Sequence, residues 1–240
     1  MLLDWNKRIN LISRKEENVI ERHFLDSILF LPEINNVIAR RCEAPTKQSD
    51  TKCRPESLTR DLLSIRQEIL RCAQDNASHW IASVASLPRN DKIGVLDIGS
   101  GGGFPAIPLA IMKPDWHFTL CESTGKKANF LECVTKELGL KNTKVINGRV
   151  EAIHELPLQK TKFDIVTARA VAKLDILIKD AMPVLKKGGY LVAYKAKDID
   201  EELKGAEKLI KKNNLTLKIF SKEINDVERN LVVLSHPRIL

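Results

Sequence analysis

No run in this sequence approaches the ~20 consecutive apolar residues that a membrane-crossing helix requires, so none is expected. The first residues, Met1 to Arg8, lack a basic stretch followed by an apolar one, which argues against a secretory signal and predicts a cytoplasmic protein. The five cysteines, at 42, 53, 72, 121 and 133, form no CxxC pair, and an odd count argues against a disulfide framework. Cys121 and Cys133 fall in strand-like and helix-like apolar patterns and are expected to be buried structural thiols. The five histidines form no HxH or HxxxH pair, so no metal site is expected.

What is present points elsewhere. A chain of 240 residues holds one sizeable domain, or one domain with an appendage. A hydrophobic content of 43% and a charged content of 29% are ordinary for a globular protein. The net charge of +8, with an isoelectric point near 9.2, favours a polyanionic partner such as RNA or DNA.

Three stretches differ in pattern. In residues 1–38, Val19, Ile20, Phe24, Ile28 and Leu31 recur at helical spacing. Ser13-x-x-Glu16 has the form of a capping box for that helix, and Pro32 is expected to stop it. This part reads as an N-terminal helical cap. Residues 39–92 carry Pro45, Pro55 and Pro88, three of the cysteines and many polar residues, with helical periodicity from Leu58 to Ala73 alone. So long an irregular stretch is uncommon inside a compact domain and reads as an insertion. Its closing Ser86 to Lys92 is similar to translated palindromic repeats that invade bacterial genes.

Residues 93–240 alternate strand and helix signals. Strands are predicted at 94–98, 117–122, 144–147, 163–168, 190–194, 216–223 and 231–235, and helices at 105–112, 126–138, 173–185 and 199–212. Such alternation implies crossover connections, hence a mostly parallel seven-stranded α/β sheet with helices on both faces. Ligands bind such sheets beyond the carboxyl ends of the strands, at the point where strand order reverses.

The informative segment is Val95 to Pro105. An apolar strand meets Asp97, then Gly99, Ser100, Gly101, Gly102 and Gly103, then Pro105 as an expected first helical residue. Glu122 ends the next strand, where a carboxylate can accept both hydroxyls of a ribose. Gly101 to Ala106 formally matches GxGxxA, so a dinucleotide is one candidate ligand. S-adenosylmethionine fits better. The charge of Asp97 suits an ammonium group and repels a pyrophosphate, and the glycine-rich turn suits an extended ligand lying along it. Leu185 to Val192 adds the helix, glycine turn and strand typical of Rossmann-like methyltransferases.

Several segments together resemble one family, the small-subunit (16S) ribosomal RNA guanine-N7 methyltransferases, also called glucose-inhibited division protein B. They are Trp5 to Leu11, Glu21 to Ser27, Asp97 to Ala110, Gly125 to Leu131, Gly148 to Glu151 and Phe163 to Ala172. The resemblance spans nearly everything except 39–92. It implies a Rossmann-like class I fold using S-adenosylmethionine to methylate guanine N7 in 16S ribosomal RNA or the small subunit. It further implies donor contacts at Gly99, Phe104, Val150, Glu151 and Arg169, with Glu122 holding the donor's ribose. From the residues themselves, Asp97, Gly99, Gly101, Glu122 and Glu151 lie at or just beyond strand ends, and Arg169 is expected to position substrate or brace the site. Arg8, Arg22, His23, Lys126 and Lys195, with Lys7 and Arg14, are candidate RNA contacts. The chain begins close to the Trp5 motif, whereas family members usually carry a further helical segment before it.

Guanine N7 carries a free lone pair, so transfer needs alignment more than acid–base help. The sequence agrees. It has no Asp/Asn-Pro-Pro-Tyr motif of exocyclic-amine methylation, and no proline precedes Cys121 or Cys133 as in cytosine-C5 enzymes. N7 lies on the Hoogsteen edge, so the target base is expected in a loop or splayed out. A monomer without a metal is expected. The competing expectations are a methyltransferase of another RNA, protein or small molecule, an NAD-type oxidoreductase, and a noncatalytic ribosomal RNA-binding protein with a decayed site.

Overall fold

Runs of aliphatic residues set the centre of the sheet. In the computed structural model, β1 (Gly94–Ile98) and β4 (Phe163–Arg169) bury nearly every side chain, as strands covered on both faces must. They pair in parallel, Val95 opposite Ile165 and Ile98 opposite Ala168. To one side lie β2 (His117–Glu122) and β3 (Thr143–Asn147). To the other lie β5 (Leu185–Lys195), β6 (Thr216–Ile224) and β7 (Val227–Ser235), giving a seven-stranded sheet of order β3-β2-β1-β4-β5-β7-β6. β7 is antiparallel to both β5 and β6, and the pairs from β3 to β5 are parallel. The chain steps outward from β1 to β3 and then returns to β4 on the other side of β1. The carboxyl ends of β1 and β4 are therefore the switch point where a ligand cleft forms. The structure describes residues 2–12, 23–24, 26–39, 93–153, 162–196, 199–224 and 227–236.

Helices cover both faces. On one, α1 (Leu2–Asn6), α2 (Asp26–Ile28), α3 (Leu31–Ala39), α4 (Ala106–Met112) and α5 (Gly125–Glu137) precede or flank the early strands. Phe30, Leu31 and Ile34 share a single buried cluster there with Leu109, Phe118, Phe130, Tyr194 and Leu231. On the other face α6 (Val150–Ile153), α7 (Leu174–Ala181) and α8 (Asp200–Lys212) close a second cluster around Leu96, Val166, Leu177, Leu191 and Val232. Residues 26–38 thus contribute to the same core as the sheet rather than standing apart from it. Among the described residues no helix is long and apolar enough to cross a membrane.

Some expectations are corrected. Pro32 does not end a helix; it lies in the first turn of α3, where a backbone N–H has no intrahelical acceptor and proline is tolerated. Pro105 immediately precedes α4 instead of opening it. Cys121 is buried as expected, but Cys133 is exposed. α5 turns Ala128, Leu131 and Thr135 inward, and helical geometry puts Cys133 on the solvent arc with Glu132 and Lys136. The glycines at 188 and 189, read as a turn before the strand, lie within β5, where the pairing with β4 shifts register between Phe163 and Ile165. The Ser13-x-x-Glu16 box and positions 40–92 of the insertion lie outside the described residues.

Candidate functional site

Strand β1 carries Asp97 to the switch point, where it is 1% exposed. The register sets Asp97 beside Thr167 of β4, and Oδ1 accepts the Thr167 hydroxyl at 2.6 Å. Oδ2 is buried and has no hydrogen-bond partner among the described residues. Burial pushes this carboxyl up from the ordinary value of 3.8 to about 6, with the neighbouring charge of Glu122 acting in the same direction. Thr167, Ser100 and the Arg169 guanidinium oppose the rise.

The turn that follows requires its glycines. Gly99 has φ +64, and a Cβ there would stand 2.7 Å from Val171, so the loop after β4 packs directly on this residue. Gly103 has φ +88, and a Cβ there would collide with Ile107 of α4. Glu122, at the end of β2, holds the turn from the other side. Its Oε2 accepts the Gly101 N–H at 2.9 Å and its Oε1 accepts the Thr124 N–H at 2.8 Å. The Ser100 N–H donates to the Cys121 carbonyl at 3.1 Å. Both oxygens of Glu122 are therefore engaged with backbone, unlike the spare oxygen of Asp97.

The N-terminal segments reach the same rim. Asn6 is buried, and its Oδ1 accepts the N–H groups of Leu11 and Ile12 at 2.8 and 3.0 Å, folding the turn after α1. That turn sets the Leu11 carbonyl 3.4 Å from where a Cβ on Gly102 would lie. His23 stacks on Phe104 with ring centroids 5.0 Å apart, and Phe24 meets the same ring edge-on at 5.0 Å. Arg169, closing β4, donates to the His23 carbonyl at 3.2 Å and to Asp26 Oδ2 at 3.1 Å. Arg229 of β7 donates to the same Asp26 oxygen at 2.8 Å. The Tyr194 hydroxyl, from β5, donates to the Ser27 carbonyl at 2.9 Å. A segment far away in sequence is thus fastened to the ends of three strands.

The structure brings Asp97, Gly99, Gly101, Glu122, Phe104, Arg169 and His23 into one connected rim. Val150, buried, and Glu151, exposed, open α6 at the neighbouring strand end, tied in by the Gly148 N–H donating to the Glu122 carbonyl at 3.0 Å. Lys126 in the first turn of α5 and Arg8 after α1 are exposed. Arg22 and Arg14 lie outside the described residues. Lys195, expected to face substrate, instead donates to the Ala172 carbonyl at 2.8 Å and pairs with Glu202 at 2.6 Å, its side chain 11% exposed. Sequence reasoning gave no role to Asn6, Asp26, Thr167 or Arg229. Asn6, Asp26 and Thr167 lay inside segments quoted for the family resemblance, which was their available signal; Arg229 offered none, because its partner is 203 positions away.

Comparison with known proteins identifies the family and the fold that carry this site. The family described as rRNA small subunit methyltransferase G matches residues 61–232. "Ribosomal RNA small subunit methyltransferase G" of Clostridium novyi is 30% identical over 238 residues, 98% of this chain and 76% of that protein. The protein of the same name from Streptococcus agalactiae is 38% identical over 163 residues, 65% of this chain and 69% of the relative. That of Lactococcus lactis subsp. cremoris is 41% identical over 136 residues, 55% of this chain; the match spans 57% of the relative's length. Among solved structures, the METTL16 MTase domain superposes with TM-score 0.52 at 12% identity, over 73% of this chain and 69% of that one. NSun6 from Pyrococcus horikoshii gives 0.51 at 16% identity, over 65% of this chain and 50% of that one, and both bear on the fold alone. With the family matched over most of its length and a class I methyltransferase sheet beneath the site, the chain belongs to the rRNA small subunit methyltransferase G family.

Proposed function

We propose that this protein transfers a methyl group from S-adenosylmethionine to N7 of a guanine in 16S ribosomal RNA. Family membership supports the reaction, and one observation supports the donor: the buried Asp97 oxygen without a hydrogen-bond partner beside the glycine turn. Leaving such a group unsatisfied costs about 1–3 kcal/mol, a penalty that an incoming ammonium group relieves. Among the described residues a Cβ on Gly101 would meet nothing within 4 Å except the Gly99 carbonyl at 3.7 Å, so the backbone there is open to close approach. A pyrophosphate would bring negative charge to Asp97, which weighs against a dinucleotide.

When bound, S-adenosylmethionine supplies an electrophilic methyl on a sulfonium centre. The chain's own contribution is alignment. Asp97 takes the ammonium end, and Glu122 keeps the glycine turn in shape while its remaining lone pairs stay available to a ribose. Phe104, backed by His23 and Phe24, offers an aromatic wall. Arg169, oriented by Asp26, holds a cation at the rim where RNA phosphate approaches. No proton has to be removed from N7, so none of these groups is asked to act as a base. Exposed Arg8 and Lys126, in a chain of net charge +8, supply sequence-independent attraction for RNA.

The test is methyl transfer from labelled donor to unmethylated small subunits and to their naked RNA, with nucleoside analysis. The expected product is 7-methylguanosine. A different methylated nucleoside overturns the N7 assignment, and a protein that fails to bind the donor overturns the reading of Asp97.

A further inference from the structure

Lys195 and Glu202 form a pair at the sheet rim that the reaction as described does not use. Lys195 is the last residue of β5, and Glu202 lies in the first turn of α8. Between them they take hold of the loop after β4. Lys195 Nζ donates to the Ala172 carbonyl at 2.8 Å, and Glu202 Oε2 accepts the Leu174 N–H at 3.0 Å while pairing with Lys195 at 2.6 Å. The Leu174 N–H is a first-turn donor of α7, and the preceding Lys173 offers no side-chain cap, so Glu202 caps α7 from another helix.

The loop so held is short and strained. It runs from Arg169 to Lys173, and Ala170 within it has φ +54, a left-handed conformation unfavourable for a residue with a Cβ. Its Val171 lies on Gly99 of the glycine turn, although 41% exposed. Its first residue, Arg169, is the rim cation. A displacement of this loop would therefore move one wall of the glycine turn and the guanidinium together.

We propose that Lys195 and Glu202 are positioning residues for methyl transfer: their ion pair fixes the Arg169–Lys173 loop against the strain at Ala170, so that Val171 and Arg169 stand correctly beside the donor. The inference rests on the site assigned above. It gives Lys195 a role different from an RNA phosphate contact, and the two roles predict opposite behaviour of Glu202. If Lys195 met phosphate, Glu202→Gln would release the ammonium and leave or improve RNA binding. If the pair positions the loop, Glu202→Gln and Lys195→Met harm the same steps.

The experiment uses the full chain. Amide exchange of residues 170–174, S-adenosylmethionine affinity by calorimetry, and kcat and KM for small-subunit RNA are measured for Lys195→Met, Lys195→Arg and Glu202→Gln. Each is made with and without Ala170→Gly. Lys195→Met and Glu202→Gln are expected to speed exchange at 174, weaken donor binding about tenfold and lower kcat, with KM for RNA little changed, the pattern of lost alignment. Lys195→Arg is expected to retain most activity. Ala170→Gly, which removes the Cβ conflict, is expected to restore roughly fivefold in the Lys195→Met background and to change the parent little. A rise in RNA KM alone in Lys195→Met, with Glu202→Gln neutral, overturns the proposal, as does unchanged exchange at 174 or a lack of rescue by Ala170→Gly. Exchange and donor affinity require no RNA substrate. If the parent binds donor but makes no 7-methylguanosine, the substrate assignment fails while these two readouts still decide the fate of the pair.

Discussion

The ends of β1 and β2 each present one buried carboxylate to the glycine turn, and the two are used in different ways. Glu122 spends both oxygens on backbone N–H groups of the turn and of the segment leading into α5. Asp97, more deeply buried, has one oxygen on Thr167 and one without a partner among the described residues. A carboxylate with each oxygen tied to its own backbone is a brace, whatever lone pairs it has left. One with a buried acceptor left open is, on the reading proposed above, the group a ligand completes, and burial raises its pKa to about 6. The same contrast separates the two cations nearby, since Lys195 is consumed by Glu202 and Ala172 whereas Lys126 is exposed.

Removing the open carboxylate breaks the comparison most directly. Asp97→Ala is expected to weaken S-adenosylmethionine binding by about 100-fold or more, the usual scale for a buried charged hydrogen bond, with the fold retained. Calorimetry of the variant decides it, and unchanged affinity would sink the assignment.

Titration sharpens the same point without mutation. The folded carboxyl is raised from 3.8 to about 6, so the native state binds the proton more tightly than the unfolded chain does. The contribution of Asp97 to stability is therefore most favourable below pH 4, falls as pH rises through 4 to 6, and is constant above. From pH 4 to pH 7, urea melts of donor-free Asp97→Asn and parent should diverge by roughly 2 kcal/mol in the variant's favour, because the amide does not ionise. Donor affinity has the opposite sign. It requires the anion and should drop about tenfold per pH unit below 6, a slope that Asp97→Asn abolishes.

Glu122→Gln tests the brace. An amide side chain has one acceptor oxygen in place of two, so either the Gly101 or the Thr124 N–H loses its partner. We expect a stability loss of about 1–2 kcal/mol and a donor affinity down about tenfold, reached through a loosened turn. The distinguishing measurement is pH dependence: the titration near pH 6 should survive in Glu122→Gln and vanish in Asp97→Asn.

How far such a site is legible in sequence depends on how local its causes are. The turn from Gly99 to Gly103 announces itself because positive φ at 99, 101 and 103 favours one residue type there. The alternation from 93 to 240 announces the sheet for the same kind of reason, since periodicity is a local property. Partnership is not local. Glu122 sits at a position where either a ribose ligand or a brace is chemically reasonable, and only the approach of Gly101 shows that its oxygens are engaged by backbone. Lys195 reads as a spare cation because Glu202 and the Ala172 carbonyl are brought to it by α8 and by the loop after β4. Pro32 misled for a related reason: proline ends a helix or opens one, and the choice depends on where Phe30 and Leu31 enter the core. Arg229 carried no local signal at all, and Thr167 none beyond its place in a family-like segment.

The smallest effect concerns the charge that remains outward on the β2 side. Lys126 lies in the first turn of α5, two residues after Thr124, whose N–H Glu122 accepts, and it is exposed. A cation near a helix N-terminus is unfavourable to the dipole, so its value to the protein has to come from something it meets. If that something is RNA phosphate, Lys126→Ala should weaken RNA binding uniformly, by only a few fold at moderate salt. It should also reduce the slope of log affinity against log salt by about one, with donor affinity unchanged. Loss of the helix-end repulsion should leave stability the same or slightly higher. A variant with an unaltered salt slope would return Lys126 to an ordinary solvated surface and leave RNA attraction to the N-terminal cations such as Arg8.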